Sequence, residues 1–197
     1  NCRSRRFPVK SMEKAQALID EMLKLAVIED SHSEWASAPL PVPKKDGSIR
    51  LAIDFRQVNE QCQGDAYPMK RIDEIVEKLF GANIFSKIDL VKGYYQVRIH
   101  PKDRHITAFR FGKKLYQFRR MPFGLNSAPQ TFQRLMNKVL EDLPFAECYL
   151  DDVVIFSANL EEHLQHLEQV FCALKKANLR FNPSKCEFAV QEIEYLG

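Results

Sequence analysis

Asp151 and Asp152 stand side by side between apolar, strand-prone neighbours: Cys148, Tyr149 and Leu150 before them, Val153, Val154, Ile155 and Phe156 after. Two adjacent carboxylates in that setting repel one another and lose solvation, so a positive partner should offset them. A polar hairpin tip is the plain alternative, because Asp favours turns. A third carboxylate shifts the balance. Asp89 ends the apolar run that begins at Ile84, 151 − 89 = 62 residues upstream of Asp151. An antiparallel sheet can bring the end of one strand beside the tip of another hairpin. Successive side chains of a strand point to opposite faces, so Asp151 and Asp152 can share one cluster only if the turn bends the backbone between them. Three oxygen donors suit Mg²⁺, which keeps waters and shares ligands with substrate phosphates. Two such ions about 3.5–4 Å apart can stabilise the attacking and leaving oxygens of a phosphoryl displacement. One would lower the pKa of a 3′-hydroxyl and the other would hold the triphosphate and the departing pyrophosphate. Such catalysis rests on position and electrostatics, without a covalent intermediate.

A triphosphate would need cations. Lys44, Lys45 and Arg50 flank a hairpin signal at Asp46-Gly47. Lysine offers phosphate a point charge and arginine a bidentate fork. A solvated hairpin would look the same. There is no Walker-type Gly-Lys-Ser/Thr loop, which disfavours an ordinary P-loop enzyme. Net charge is only +3, so distribution matters more than the total. Further basic clusters lie at Arg3, Arg5, Arg6 and Lys10, and at Lys113, Lys114, Arg119 and Arg120 beside Tyr116 and Phe118. The five cysteines are scattered without metal spacing and read as free thiols of a reducing compartment. His163, His166 and Cys172 read as part of an amphipathic helix rather than a metal site.

The elements that must position these residues follow from periodicity. Ser11 can cap a helix over about 12–25, with Ala15, Leu18, Ile19, Met22 and Leu25 recurring at helical spacing. A hairpin joins Leu40–Pro43 to Ile49–Asp54. A helix runs from Arg71 to Phe80 and stops at Gly81. Strands are expected at Ile84–Leu90 and Tyr95–Ile99, and a hairpin at Thr107–Phe111 and Leu115–Arg119. Asn126 or Ser127 caps a long helix with Pro129 in its first turn, where a missing N–H costs nothing. Glu147–Leu150 and Val153–Ser157 form a tight hairpin around the aspartates. Asn159 and Glu162 have capping-box spacing for a helix to about Asn178, with Leu160, Leu164, Leu167, Phe171 and Leu174 turned inward. Short strands close the chain at Glu187–Val190 and Ile193–Leu196. Apolar residues at 45% and charged residues at 28% place the chain among globular proteins rather than disordered ones. Antiparallel pairs with helices between them give an α+β fold, not an alternating parallel array. No apolar run approaches the ~20 residues that span a bilayer. The chain starts at Asn1 without Met and stops at Gly197 in a strand-like stretch, so it reads as a piece of a longer polyprotein.

The motifs occur in a known order. Trp35-Ala36-Ser37-Ala38-Pro39, Lys44-Lys45-Asp46-Gly47, Asp54 to Asn59, Ile88-Asp89-Leu90 with Gly93-Tyr94-Tyr95-Gln96, Met121 to Pro129, and Tyr149-Leu150-Asp151-Asp152 follow one another. The chain resembles, along nearly its whole length, the reverse transcriptase of gypsy-type long-terminal-repeat retrotransposons, and more distantly that of retroviruses. Each motif is moderately specific; their order is highly so.

The resemblance implies the fingers and palm of a right-hand polymerase. Residues 1–83 would be mainly fingers, 84–120 palm strands and a returning fingers hairpin, and 121–197 palm, with the thumb downstream. By position, Asp89, Asp151 and Asp152, with the Leu90 backbone carbonyl, match metal ligands for two Mg²⁺, for which Mn²⁺ can substitute. Lys44 or Lys45, with Arg50, match the residues that grip the incoming dNTP. Tyr94 matches the bulky residue that rejects a ribose 2′-hydroxyl; a core tyrosine is its plain alternative. Phe123 and Gly124 match the loop beside the nucleotide. Retroviral enzymes usually carry Gln where Phe123 stands, so that residue's hydrogen bond is not carried over. Tyr149, Pro129 and Gln130 match primer and template contacts. The partners implied are an RNA or DNA template, a primer, dNTPs, and the thumb and ribonuclease H segments of the polyprotein, with a homodimer allowed and no membrane. The location implied is a cytoplasmic virus-like particle, or the nucleus. A domesticated, non-catalytic RNA- or protein-binding module is the alternative from another class. A viral RNA-dependent RNA polymerase shares the palm carboxylates but usually carries Gly-Asp-Asp.

Overall fold

The structure, a computed structural model, describes residues 9–43 and 47–195, with side chains from residue 12. The chain divides into two compact units: Asn1–Asp65 with Val97–Ala128, and Ala66–Gln96 with Pro129–Gly197. No helix of the described residues is long and apolar enough to cross a membrane.

The first unit holds helix α1 (Val9–Lys24), strands β1 (Ile28–Asp30), β2 (Ala38–Pro43) and β3 (Ile49–Asp54), and helix α2 (Arg56–Gln61). It also holds strands that, in chain order, become β5 (Phe109–Phe111) and β6 (Lys114–Phe118). β2 and β3 pair antiparallel from Ala38↔Asp54 to Pro43↔Ile49, the hairpin expected from Asp46-Gly47. β1, β6 and β5 form a second antiparallel sheet. Phe109 is the centre of an aromatic core, its ring centroid 5.3 Å from that of Phe118 and 5.8 Å from that of Tyr116. β1 and α2 are too short to leave a periodic signature in the sequence.

The second unit is built on the sheet β7-β8-β4-β9. Its members are β4 (Ile84–Asp89), β7 (Ala146–Tyr149), β8 (Asp152–Ser157) and β9 (Glu187–Val190), with helices α3 (Ile72–Leu79), α4 (Ala128–Val139) and α5 (Leu160–Lys176). Val153, Val154 and Ile155 in β8 are all fully buried, so both faces of this central strand are covered. The registers Asp89↔Asp152, Ile88↔Val153 and Tyr149↔Asp152 sort the sheet. Alternation puts Asp89, Lys87, Asp152, Val154, Glu147 and Tyr149 on one face. Ile88, Ser86, Val153, Ile155, Cys148 and Ala146 lie on the other, which packs on α5.

Three expectations fail. Tyr95–Ile99 is not a strand. Lys92 has a φ of 46°, which turns the chain out of extension, and Gly93–Gln96 winds into a 3₁₀ turn. The Gln96 side chain holds that turn, donating to the Val91 and Arg180 carbonyls at 2.9 and 2.8 Å and accepting from Arg180 N–H at 2.6 Å. Residues 193–195 form no strand, and Leu196 lies outside the described residues. On α5 the buried stripe is His163, Leu167, Val170 and Leu174, while Leu160 and Leu164 are exposed. A histidine takes the inward position because hydroxyls await it: Nε2 lies 2.7 Å from Ser86 Oγ and Nδ1 2.8 Å from Ser157 Oγ. Burial, and then the neighbouring His166, lower its pKa below the ordinary value. The α5 N-terminus does carry the expected cap. Asn159 Oδ1 accepts from Glu162 N–H at 3.0 Å, and Glu162 Oε2 accepts from Ala158 N–H at 3.2 Å.

Candidate active site

β7 and β8 are joined by a two-residue loop, Leu150–Asp151, because Tyr149 pairs with Asp152. Leu150 has a φ of 54°. A positive φ at the first central residue is the mark of a type II′ hairpin turn, normally filled by glycine. A bulky side chain there carries strain of about 1–3 kcal/mol, a cost met mainly at functional sites. The bend expected between the two aspartates is therefore real. Asp151 occupies the loop and Asp152 begins a strand.

The register sets Asp152 directly opposite Asp89 across β4 and β8, an arrangement that like charges normally avoid. Burial, then Asp152, then Asp89 raise the Asp151 pKa above its ordinary value. Asp151 Oδ1 is fully buried with no hydrogen-bond partner. Each outer aspartate has a lysine nearby, Lys185 at 3.8 Å from Asp89 Oδ2 and Lys87 at 3.8 Å from Asp152 Oδ2. Among the described residues no group of three acidic, His or Cys side chains is gathered as a formed metal cluster. The chemistry of the donors nevertheless fits a hard cation: carboxylate oxygens only, in excess negative charge, with one oxygen lacking any donor. His163, His166 and Cys172 gather no such set.

Other predicted residues belong to the same unit as this turn. Leu90 is buried, and its N–H reaches the Asp151 carbonyl at 3.5 Å. Gly93 is buried against the site. A Cβ on it would lie 2.6 Å from Asp151 Oδ1 and 3.2 Å from Phe132 Cζ. Tyr94 is buried edge-on against Phe132, centroids 5.5 Å apart, and burial followed by Asp151 pushes its hydroxyl up to about 12. Tyr149 is half-buried at the end of β7. Pro129 lies in the first turn of α4, and the next residue, Gln130, has a buried Oε1 without a partner.

The remaining predicted residues belong to the first unit. Arg50 is exposed on β3; Lys44 and Lys45 lie outside the described residues. Phe123 is 43% exposed. Gly124 has a φ of 97°, and its loop is clamped by Asn59, whose Nδ2 donates to the Gly124 carbonyl at 2.9 Å and whose Oδ1 accepts from Asn126 N–H at 3.0 Å.

Residues 42–197 match the model of the reverse transcriptase (RNA-dependent DNA polymerase) family. The chain belongs to that family. Its relatives include the retrovirus-related Pol polyprotein from transposon 297 of Drosophila melanogaster, 40% identical over 98% of this chain and 19% of the relative. The transposon Tf2-3 polyprotein of Schizosaccharomyces pombe is 33% identical over 98% of the chain and 15% of the relative. Among solved structures, the foamy viral protease-reverse transcriptase in complex with RNA/DNA hybrid superposes with a TM-score of 0.93. It is 28% identical, over 100% of this chain and 26% of that one. A second foamy viral structure, with double-stranded DNA, gives a TM-score of 0.92 over 100% of this chain and 35% of that one. The fold is the α+β fold of reverse transcriptase fingers and palm. The reverse transcriptase segment described here spans less than a fifth of these curated relatives.

Two residues matter to the turn in ways that the order of the motifs does not show. Gln133 is a polar residue on the buried stripe of α4, among Phe132, Met136 and Leu140. That mismatch was visible as a signal. The crowding of Gly93 against Asp151 was not, because nothing local marks it.

Proposed function

We propose that this chain is the catalytic core of an RNA-directed DNA polymerase that adds dNTPs to a primer 3′-OH by two-metal phosphoryl transfer on an RNA or DNA template. We assign the palm to the second unit and the fingers to the first. The observation that carries the reading is the crowding of Asp89, Asp151 and Asp152 at one end of one sheet, with Asp151 Oδ1 buried and unpartnered. Asp89, Asp151 and Asp152, with the Leu90 carbonyl, would hold Mg²⁺ or Mn²⁺. Bound there, the ions would supply charge stabilisation of the attacking and leaving oxygens.

The protein's own contribution is placement. The Leu150 turn fixes Asp151, and the β4–β8 register fixes Asp89 against Asp152. The packed ring of Tyr94 would limit space for a 2′-hydroxyl. Tyr149, Pro129 and Gln130 would support primer and template. Arg50 and Lys44 or Lys45 would bind the triphosphate, and Phe123 and Gly124 would border the nucleotide. Template affinity carried by phosphate contacts should fall steeply with salt. The working polypeptide would include the thumb and ribonuclease H segments of a Pol polyprotein, acting in a virus-like particle.

The test is primer extension on an RNA template by the full Pol polypeptide. Mg²⁺-dependent incorporation of dNTPs is expected. Tight hybrid binding without any synthesis would instead favour a non-catalytic module. Gly93→Ala probes the site more finely. Its methyl must displace the Asp151 carboxylate, and misplacement of that order costs about a hundredfold in rate. Single-nucleotide incorporation should show it, with a modest fall in melting temperature from crowding against the buried Phe132 ring; wild-type kinetics would show that Gly93 has no part in placing Asp151.

A further inference from the structure

We infer that Gln133 is a positioning residue, clamping the backbone on both sides of Tyr149 so that Leu150 keeps its left-handed conformation and Asp151 keeps its aim. The inference rests on the polymerase reading above. β7 is an edge strand of its sheet. Tyr149 turns its own backbone groups toward β8, so the Cys148 carbonyl and the Leu150 N–H point off the free edge. Gln133, fully buried on α4, meets both. Its Nε2 donates to the Cys148 carbonyl at 2.7 Å, and its Oε1 accepts from Leu150 N–H at 3.1 Å. A single side-chain amide thus does the work of a neighbouring strand.

The amide itself is oriented. Its second N–H goes to Asn137 Oδ1 at 2.9 Å. Asn137 Nδ2 donates to the Tyr67 hydroxyl at 2.7 Å, and the Arg134 guanidinium stands 4.9 Å over the Tyr67 ring. Asn137 and Tyr67 therefore fix which end of Gln133 faces Cys148. Other contacts to the loop are weaker: the Cys148 thiol to the Leu150 carbonyl at 3.3 Å, and Leu90 N–H to the Asp151 carbonyl at 3.5 Å. Without Gln133, a strained non-glycine turn would keep its strand pairing at Tyr149 and Asp152 but lose both amide bonds on the outer edge of its backbone.

Gln133→Met fills nearly the same volume and makes neither bond. In the full Pol polypeptide it should lower kcat for single-nucleotide extension by about ten- to a hundredfold, with KM for dNTP changed by no more than about twofold. Hydrogen exchange at the Leu150 amide should accelerate. Leu150→Gly accepts the positive φ without strain, so Gln133→Met should cost less in that background than in the wild type. Wild-type kcat in Gln133→Met, or a lowered melting temperature with kcat intact, overturns the inference. Should the wild type itself fail to extend primers, the polymerase reading falls. Exchange at Leu150 then decides the clamp alone: protection that persists in Gln133→Met overturns it, and its loss upholds it.

Discussion

Asp151→Asn is expected to reduce primer extension by about a thousandfold or more, the loss anticipated when several kcal/mol of transition-state charge stabilisation disappear. The same change should leave the protein folded and raise its melting temperature. Burial and the Asp152 and Asp89 charges all disfavour the ionised Asp151, as the direction of its pKa shift records. An amide removes that repulsion. Loss of activity with a gain of stability separates a functional site from a structural one, because active sites hold groups that the fold by itself would reject. Steady-state extension and a thermal melt on the same preparation check both halves. Undiminished synthesis would remove Asp151 from the chemistry, and a large fall in melting temperature would make it a structural residue.

The largest effect on stability is expected from Lys70→Met combined with Lys78→Met. Glu147 lies on β7, two residues before Tyr149, and its side chain is only 4% exposed. Lys70 grips its Oε2 and Lys78 its Oε1. Removing either lysine leaves the other in place, and each is itself partly solvated, so single changes should be mild. Removing both strands a buried carboxylate, which costs about 3–5 kcal/mol. Adding Glu147→Leu should recover most of the loss, since an apolar residue of similar volume carries no uncompensated charge. Urea unfolding of the four variants measures the cycle. Equal effects of the single and double lysine changes would contradict it.

The two predictions sit on one hairpin and divide its roles. Glu147 is neutralised within its own unit by cations on the α3 side. Asp151 is left with an oxygen that nothing in the unit satisfies. Buried charge that a protein pairs is structural, and buried charge that it leaves unpaired awaits a ligand.

The sequence by itself determined the class of the fold, most of the elements and the identity of the acidic residues. These depend on local chemistry. Strand alternation, the Asn159 cap, the Pro129 first turn and the Asp46-Gly47 hairpin are each set within a few residues. The adjacency of Asp151 and Asp152 amid apolar flanks was itself the anomaly that pointed to a site. Only tertiary structure decided how those residues meet. The Asp89↔Asp152 register joins positions far apart in the chain. The left-handed Leu150 survives because Gln133 and its helix stand beside it, against the preference of leucine. His163 displaces Leu164 from the core because two serines on distant strands offer it hydrogen bonds. Gln96 turns an expected strand into a 3₁₀ turn by bonding across to Arg180. In each case a long-range polar contact overrode a local tendency, and periodicity within a window of neighbouring residues carries no record of it.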